Sequence, residues 1–328
     1  MIHPMEFLSI ITGGQLDTFF QKHWRKRTLL ASRCLPQLDH YYTGAKFLED
    51  YRHVGFHGAT CFISIGQDNQ RSFSVPQTWE MVESALNRGT PMALLALGIP
   101  QRPSPLPLQW REFISFHEGL RSFLCADYPA PSRGIANYLA VESVDFFYNS
   151  PQCRKVTTGG HYDTGDVFYF VLEGRKVWTV DLTPDLDTVK SLIMLPGGLT
   201  NLTNVDRSTQ RECVDMTLNP GDCLYVPPYT YHRVTSEGSS LAVSIGLPTF
   251  NEATFLGYAL FRLQHRRKIF QPLPCFPSMY ADLCVSAKQE TRKRLQQILE
   301  MLAQECEVWG TQSQNVETRQ PNERMTKT

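Results

Sequence analysis

Three side chains, His161, Asp163 and His232, are of the types that hold a divalent metal ion. In an extended strand, residues two apart point to the same face, so the His161 imidazole and the Asp163 carboxylate reach one ion while Tyr162 faces away. Alone the pair is weak: the chain has 9 histidines, and one H-x-D arises by chance in roughly every second protein of this size, as a surface pair. A second segment strengthens it. Gly221-Asp222-Cys223-Leu224-Tyr225-Val226-Pro227-Pro228-Tyr229-Thr230-Tyr231-His232 reads as a tight turn, a short apolar strand and a proline corner that set His232 at a defined point. Two histidines and one carboxylate on one face of an ion leave open positions opposite, which suits Fe(II) that must also bind a co-substrate and O2. Zinc with three protein ligands is chemically possible, and a structural core histidine at 232 is the plain alternative.

These residues carry a resemblance. Gly221-x5-Pro227-x4-His232 resembles the second cupin motif, and His161-x-Asp163 with Gly174 thirteen residues on resembles the first. The glutamate that four-ligand cupins carry soon after H-x-H is missing, since the stretch reads Thr164-Gly165-Asp166-Val167-Phe168. The variant is similar to the Jumonji-C and cupin-like Fe(II)/2-oxoglutarate oxygenases, among which are protein hydroxylases including the ribosomal oxygenases. The resemblance is best over residues 140–247, with a fainter echo in Phe19-Phe20-x3-Trp24-x-Lys26.

It implies a co-substrate site as well. A Lys or Arg fifteen residues beyond the first ligand commonly binds the distal carboxylate of 2-oxoglutarate in that family, which here selects Lys176. A Thr three residues before the first ligand often helps, which selects Thr158. A cation and a hydroxyl are what a buried carboxylate requires. Without the resemblance, Lys176 is a turn-flanking surface lysine. Tyr169 shares the parity of the ligands if the strand runs unbroken from His161, and its hydroxyl then faces inward; a plain core tyrosine is the alternative. Two positions depart from the cupin pattern: Tyr229 stands where many motifs have Gly, and Ser236 where they often have Asn.

The elements that must position these groups follow from texture. Between about Val141 and Leu247, β-branched and aromatic runs (167–172, 177–182, 223–226, 241–245) alternate with turn signals such as Glu173-Gly174 and Asn219-Pro220-Gly221-Asp222. Many short strands between tight turns predict an antiparallel sandwich or barrel. The fold expected is mainly β with flanking helices: a double-stranded β-helix (cupin, jelly-roll) core over 140–250, an N-terminal helical and strand extension over 1–139 that contributes to the core, and a C-terminal helical region over 251–310. Thr18 to Leu30 reads as a core-packed helix with Phe19, Phe20, His23 and Trp24 on one stripe. Pro100 to Pro107 reads as an extended loop. Ser286-Ala287-Lys288-Gln289 has capping-box spacing, and Leu295, Ile298, Leu299, Leu302, Cys306 and Trp309 follow on a helical stripe that must pack on the preceding segment or on a second subunit. The polar tail 311–328 is expected to be disordered.

Composition excludes several function classes. With 32 Lys+Arg against 32 Asp+Glu in 328 residues, there is no global positive field to hold nucleic acid or anionic lipid. The cluster Arg262, His265, Arg266, Arg267, Lys268 is read as a solvated face near a helix end rather than an RNA contact. The longest apolar run, Met92 to Ile99, falls far short of the ~20 residues of a membrane span, and the first residues do not read as a secretory signal. Nine cysteines lie without a C-x-x-C, a pattern of free thiols in a reducing cytoplasm.

The function implied is Fe(II)- and 2-oxoglutarate-dependent hydroxylation of a C–H bond with O2, on a protein or peptide side chain first, and on a free amino acid or natural-product intermediate second. N-methyl-lysine demethylation shares the chemistry and is less favoured, since no histone-reader module is visible. The roughly eighty residues after Thr249 are short for the dimerisation helices plus winged-helix domain of ribosomal oxygenases, so a ribosomal-protein substrate is not carried over. A homodimer through the C-terminal helices is the oligomer expected. A non-catalytic cupin-fold binding protein with a vestigial site is the reading from another class.

Overall fold

The computed structural model describes residues 3–39, 41–54, 61–65, 73–74, 79–96, 106–125, 143–194, 202, 205, 213–249, 293 and 296–304. Contacts divide the chain into one compact unit of Met1–Ala126 with Ala130–Thr249 and a second of Asp127–Pro129 with Phe250–Thr328.

Among the described residues the first unit has twelve strands: β1 (Leu29–Ala31), β2 (Cys61–Ile65), β3 (Phe73–Ser74), β4 (Met92–Ala96), β5 (Ser143–Asn149), β6 (Arg154–Tyr162), β7 (Asp166–Glu173), β8 (Lys176–Val180), β9 (Val214–Leu218), β10 (Cys223–Val226), β11 (Tyr231–Glu237) and β12 (Ser240–Leu247). They form an eight-stranded sheet in the order β1-β10-β7-β12-β5-β4-β2-β3 and a four-stranded sheet in the order β6-β11-β8-β9. Both are antiparallel throughout. The chain crosses between sheets from β6 to β7 and from β7 to β8, as a jelly roll does.

Alternation along each strand decides what fills the space between the sheets. Val167, Tyr169 and Val171 of β7, Leu224 and Val226 of β10 and Ala242 of β12 meet Trp178 and Val180 of β8, Leu218 of β9 and Val234 of β11 in one buried cluster. Residues of opposite parity on the large sheet turn outward to the helices α1 (Pro4–Ile11), α2 (Gly44–Val54) and α4 (Leu108–Leu124), which follow and precede α3 (Trp79–Asn87) in the chain. Phe7 of α1 stands edge-on to Phe168 at 5.6 Å, Phe47 of α2 stacks on Tyr148 at 5.8 Å, and Trp110 of α4 stacks on Phe146 at 5.4 Å. A large sheet apolar on both faces thus has one face on the barrel interior and one under helices.

Two tight turns need glycine. Gly174, between β7 and β8, has φ +72°, and a Cβ there would lie 2.9 Å from Ser240 Cα. Gly221, before β10, has φ +86°. Only a residue without a Cβ takes such angles freely.

The helix expected over Thr18–Leu30 is much shorter. A single turn, Leu16–Thr18, runs into a π-turn at Phe19–His23; Arg25 then takes φ +58°, and Leu29–Ala31 pairs with Tyr225–Cys223 as β1. Phe19 is fully buried while Phe20 is 36% exposed, so the stripe does not hold as one face. The competing interaction is an ion pair to a buried carboxylate: Arg25 Nε lies 3.1 Å from Asp166 Oδ2, and Tyr225 Oη and Thr249 Oγ1 donate to the same carboxylate at 2.6 and 3.0 Å. Burial pushes the Asp166 carboxyl up, and Arg25 opposes it.

The loop expected at Pro100–Pro107 falls outside the described residues except for its last two, which are irregular, and the capping box, the basic cluster 262–268 and the tail lie outside them altogether. In the second unit residues 296–304 are helical. Leu302 is buried and Leu299 is 66% exposed; the side chains of Leu295, Cys306 and Trp309 lie outside the described residues.

Candidate metal centre

His161 is the penultimate residue of β6, and Asp163 follows that strand's end. His232 is the second residue of β11 and is paired in register with both His161 and Val180. A long-range strand pairing therefore brings together residues 71 positions apart. Among the described residues these three form the one group of His, Cys, Asp or Glu whose ligand atoms lie within 4.8 Å of one another.

Orientation is fixed by each histidine's other nitrogen. His161 Nδ1 lies 2.8 Å from Gly159 O and His232 Nδ1 lies 3.0 Å from Thr230 O. A carbonyl only accepts, so each Nδ1 carries the proton and each Nε2 presents its lone pair. The two Nε2 atoms lie 3.8 and 3.5 Å from the oxygens of Asp163. Adjacent ligands of an octahedral ion with bonds of about 2.1 Å stand roughly 3 Å apart, so the donors close on an ion by moving less than about 1 Å. Burial, and then the neighbouring His161, lowers the His232 pKa to about 4. It is neutral at pH 7, the form that ligates.

A row of rings supports this geometry. His161 and His232 have centroids 4.1 Å apart, Trp178 stacks on His232 at 5.0 Å, and Tyr169 meets Trp178 edge-on at 4.7 Å. On the other face of the same strands, Tyr162 and Tyr231 pack edge-on at 5.6 Å in a cluster with Leu202 and with Val189 of α5 (Leu186–Met194). The Tyr231 ring lies over Gly160, where a Cβ would come 2.6 Å from its Cζ and closer to its hydroxyl.

The unusual corner residue has a backbone signature. Tyr229, in the position where many cupins carry Gly, takes φ +60°. Its N–H donates to Asp163 O at 2.7 Å and its carbonyl accepts from the Asp185 N–H at 2.8 Å. These two bonds hold a left-handed residue between a ligand-bearing turn and the approach to α5.

Lys176 is not the surface lysine its sequence neighbourhood offers. It opens β8 on the same face as Trp178 and Val180 and is only 2% exposed. Its Nζ donates to Ser236 Oγ at 2.8 Å and to Asn149 Oδ1; among the described residues it has no carboxylate partner. Burial lowers its pKa to about 7. Tyr169 also faces the interior, but by a different route from the one expected: the strand breaks after Tyr162, and Tyr169 belongs to β7 of the opposite sheet. Burial pushes its hydroxyl pKa up. Thr158 is paired with Val234 on β6; its side chain lies outside the described residues. Tyr148 and Tyr225 pack on the helix side of the large sheet.

Sequence reasoning missed Asn149 and Trp178. Asn149 ends an aromatic strand, Ser143–Asn149, and a polar residue there with interior parity is a detectable signal. Trp178 shares the parity of Lys176 two residues on.

Residues 135–255 match the family model described as "JmjC domain". Ribosomal oxygenase 2 of Rattus norvegicus is 25% identical over 264 residues, covering 77% of this chain and 49% of that protein; the Bos taurus protein of the same name is 24% identical with the same coverage. The chain thus spans about half the length of the curated relatives it matches. Among solved structures, Escherichia coli YcfD superposes with TM-score 0.51 at 16% identity, over 88% of this chain and 69% of that one. A complex of YcfD, a ribosomal oxygenase, with cobalt and 2-oxoglutarate gives 0.50 at 17%, over 89% and 70%. Residues 135–255 are thus similar to the JmjC domain, and the fold is shared with YcfD, with the histidine–aspartate–histidine cluster placed inside the matched segment.

Proposed function

We propose that the chain hydroxylates a C–H bond of a protein or peptide side chain, using Fe(II) held by His161, Asp163 and His232 and 2-oxoglutarate anchored by Lys176, Thr158 and Tyr169. The observation that carries this reading is Lys176, a buried amine without a carboxylate partner among the described residues, on the same interior face as the metal cluster. A cation in that place is costly until an anion joins it. Lys176 pairs with Ser236 and Val180 pairs with His232, so four residues, or about 13 Å of strand, separate the lysine backbone from the ligand. A five-carbon diacid chelating at one end and a lysine side chain reaching from the other fill that span. The ribosomal oxygenase relatives and the YcfD complex with 2-oxoglutarate support the co-substrate class and a protein substrate.

Each residue has a defined task. His161 and His232 supply neutral Nε2 donors, and Asp163 supplies a negative charge that holds a divalent cation. Val167, Val171, Leu224, Val226 and Val234 wall the interior and exclude water, which keeps a reactive oxidant from side reactions. Tyr169 stays protonated and offers a hydroxyl donor. Bound there, Fe(II) with 2-oxoglutarate and O2 supplies oxidative decarboxylation to succinate and CO2 with transfer of one oxygen to the substrate. The reading includes a cytoplasmic setting, supported by the buried cysteines Cys153 and Cys223, which form no disulfide among the described residues, and a homodimer through the C-terminal helix that exposes Leu299.

The test is anaerobic reconstitution with Fe(II), followed by air and 2-oxoglutarate. Wild type is expected to form succinate slowly without substrate, N-oxalylglycine to inhibit it, and His232→Ala to form none. Equal succinate from the two proteins contradicts the reading.

A further inference from the structure

The surroundings of Lys176 go beyond an anchor of fixed charge. Its side chain is among the largest fully buried ones of the described residues, and its partners are neutral: Ser236 on β11 and Asn149 on β5, which are themselves hydrogen-bonded at 3.1 Å. Its register partner on β9 is Leu218. The titratable group nearest in effect is Cys153, whose thiol donates to Met92 O at 3.0 Å. The charged groups of the adjoining turns are engaged elsewhere: Arg175 pairs with Glu237 on the exposed side, and Glu173 accepts from the Gly44 N–H and Ser239 Oγ. Among the described residues, an ammonium at this point has given up water and gained only dipoles.

We propose that above neutral pH Lys176 rests as a neutral amine in the co-substrate-free site and takes up one proton from solvent when the 2-oxoglutarate dianion binds. This rests on the assignment of the pocket to 2-oxoglutarate. The step balances as amine plus proton plus carboxylate giving an ammonium–carboxylate pair, with no other bond made or broken. Two opposed effects set it: desolvation holds the empty-site amine at about 7, and an apposed carboxylate restores the charged form. Co-substrate capture is therefore coupled to pH, tightening as pH falls toward 7 and levelling below it. An arginine in the same place keeps its charge throughout and lacks the coupling. The Lys176–Asn149–Ser236 cluster thus makes the choice of lysine a regulatory feature.

The experiment is titration calorimetry of the full chain, loaded with Mn2+ to prevent turnover, with 2-oxoglutarate in buffers of different ionisation enthalpy. Wild type is expected to take up close to one proton at pH 8 and almost none at pH 6, and to lose about tenfold in affinity between pH 8 and 9. Lys176→Arg is expected to take up none and to bind with a flat profile; proton exchange common to both proteins belongs to the metal centre. A second measurement needs no Arg variant. With 13C at lysine Cε, the resonance absent from Lys176→Met is expected to titrate near pH 7 in the Mg2+-loaded free protein and to stay in the ammonium position over pH 6–9 in its 2-oxoglutarate complex. Normal binding without proton uptake at pH 8, or a free-protein midpoint near 10, overturns this inference and leaves the pocket assignment standing. Failure of Mn2+-loaded wild type to bind 2-oxoglutarate overturns the assignment and the inference with it.

Discussion

Gly160→Ala changes neither a proposed metal ligand nor a charged group, yet it is expected to weaken metal binding at the proposed His161–Asp163–His232 centre. The added Cβ meets Tyr231 Cζ at 2.6 Å and its hydroxyl closer still, where ordinary contact needs 3.4 Å or more. The ring has nowhere easy to go, since Tyr231 is only 6% exposed and packs edge-on to Tyr162 within the α5 cluster. Relief therefore comes from separating β6 and β11 at the point where His161 faces His232. Overpacking of a filled site costs about 1–3 kcal/mol, and disturbed support around ligands lowers metal affinity by about 10–100-fold. Urea unfolding measures the first effect and calorimetric Mn2+ titration the second. The double variant Gly160→Ala/Tyr231→Ala removes the obstructing ring and is expected to recover most of the metal affinity. Wild-type Mn2+ affinity in Gly160→Ala, or no recovery in the double variant, refutes the coupling between that contact and the ligands.

Lys176→Met is expected to raise stability in urea by about 1–3 kcal/mol, because it replaces a buried amine without a counter-ion by an apolar chain of similar length, while 2-oxoglutarate binding to the Mn2+ protein is lost and Mn2+ affinity is retained. Two histidines contribute to the acid response of the metal-free protein, opposed in part by Asp166, whose carboxyl is pushed up by burial. His117 and His232 are both lowered to about 4 by burial, so between pH 6.5 and 4 the unfolded chain binds protons the native state does not. Each histidine is expected to lower stability by up to about 1.4 kcal/mol per pH unit as pH drops through that window, and His117→Gln should make the profile shallower than wild type; an unchanged profile contradicts the burial argument.

Much of the barrel was legible because its signals are local. Alternation placed β7, β8, β10 and β12 within a residue or two, with β8 ending at Val180 rather than Leu182, and turn residues with glycine angles bounded them. The convergence of His161, Asp163 and His232 was legible because strand parity and a proline corner limit where a histidine points. What stayed hidden depends on long-range pairing. Nothing near Leu29–Ala31 says that it joins β10 almost two hundred residues later, and propensity over Thr18–Leu30 favours the helix that the Arg25–Asp166 pair and this strand override. Asn149 meets Lys176 only because β5 and β8 face each other across the barrel. Tyr169 reached the interior although the unbroken strand assumed for it does not exist, since parity restarts in β7 after the turn at Asp163–Gly165.

The central claim, an oxygenase acting on protein, is tested most directly by isotope transfer. Wild-type protein with Fe(II), 2-oxoglutarate and heavy-isotope O2 is incubated with a proteome-derived peptide and protein pool, with His161→Ala, Asp163→Ala and His232→Ala as parallel controls. One heavy oxygen in a specific side chain, matched by one in succinate and absent from all three variants, is the predicted result. Succinate that forms without any labelled peptide or protein, or labelling that persists in the ligand variants, contradicts it.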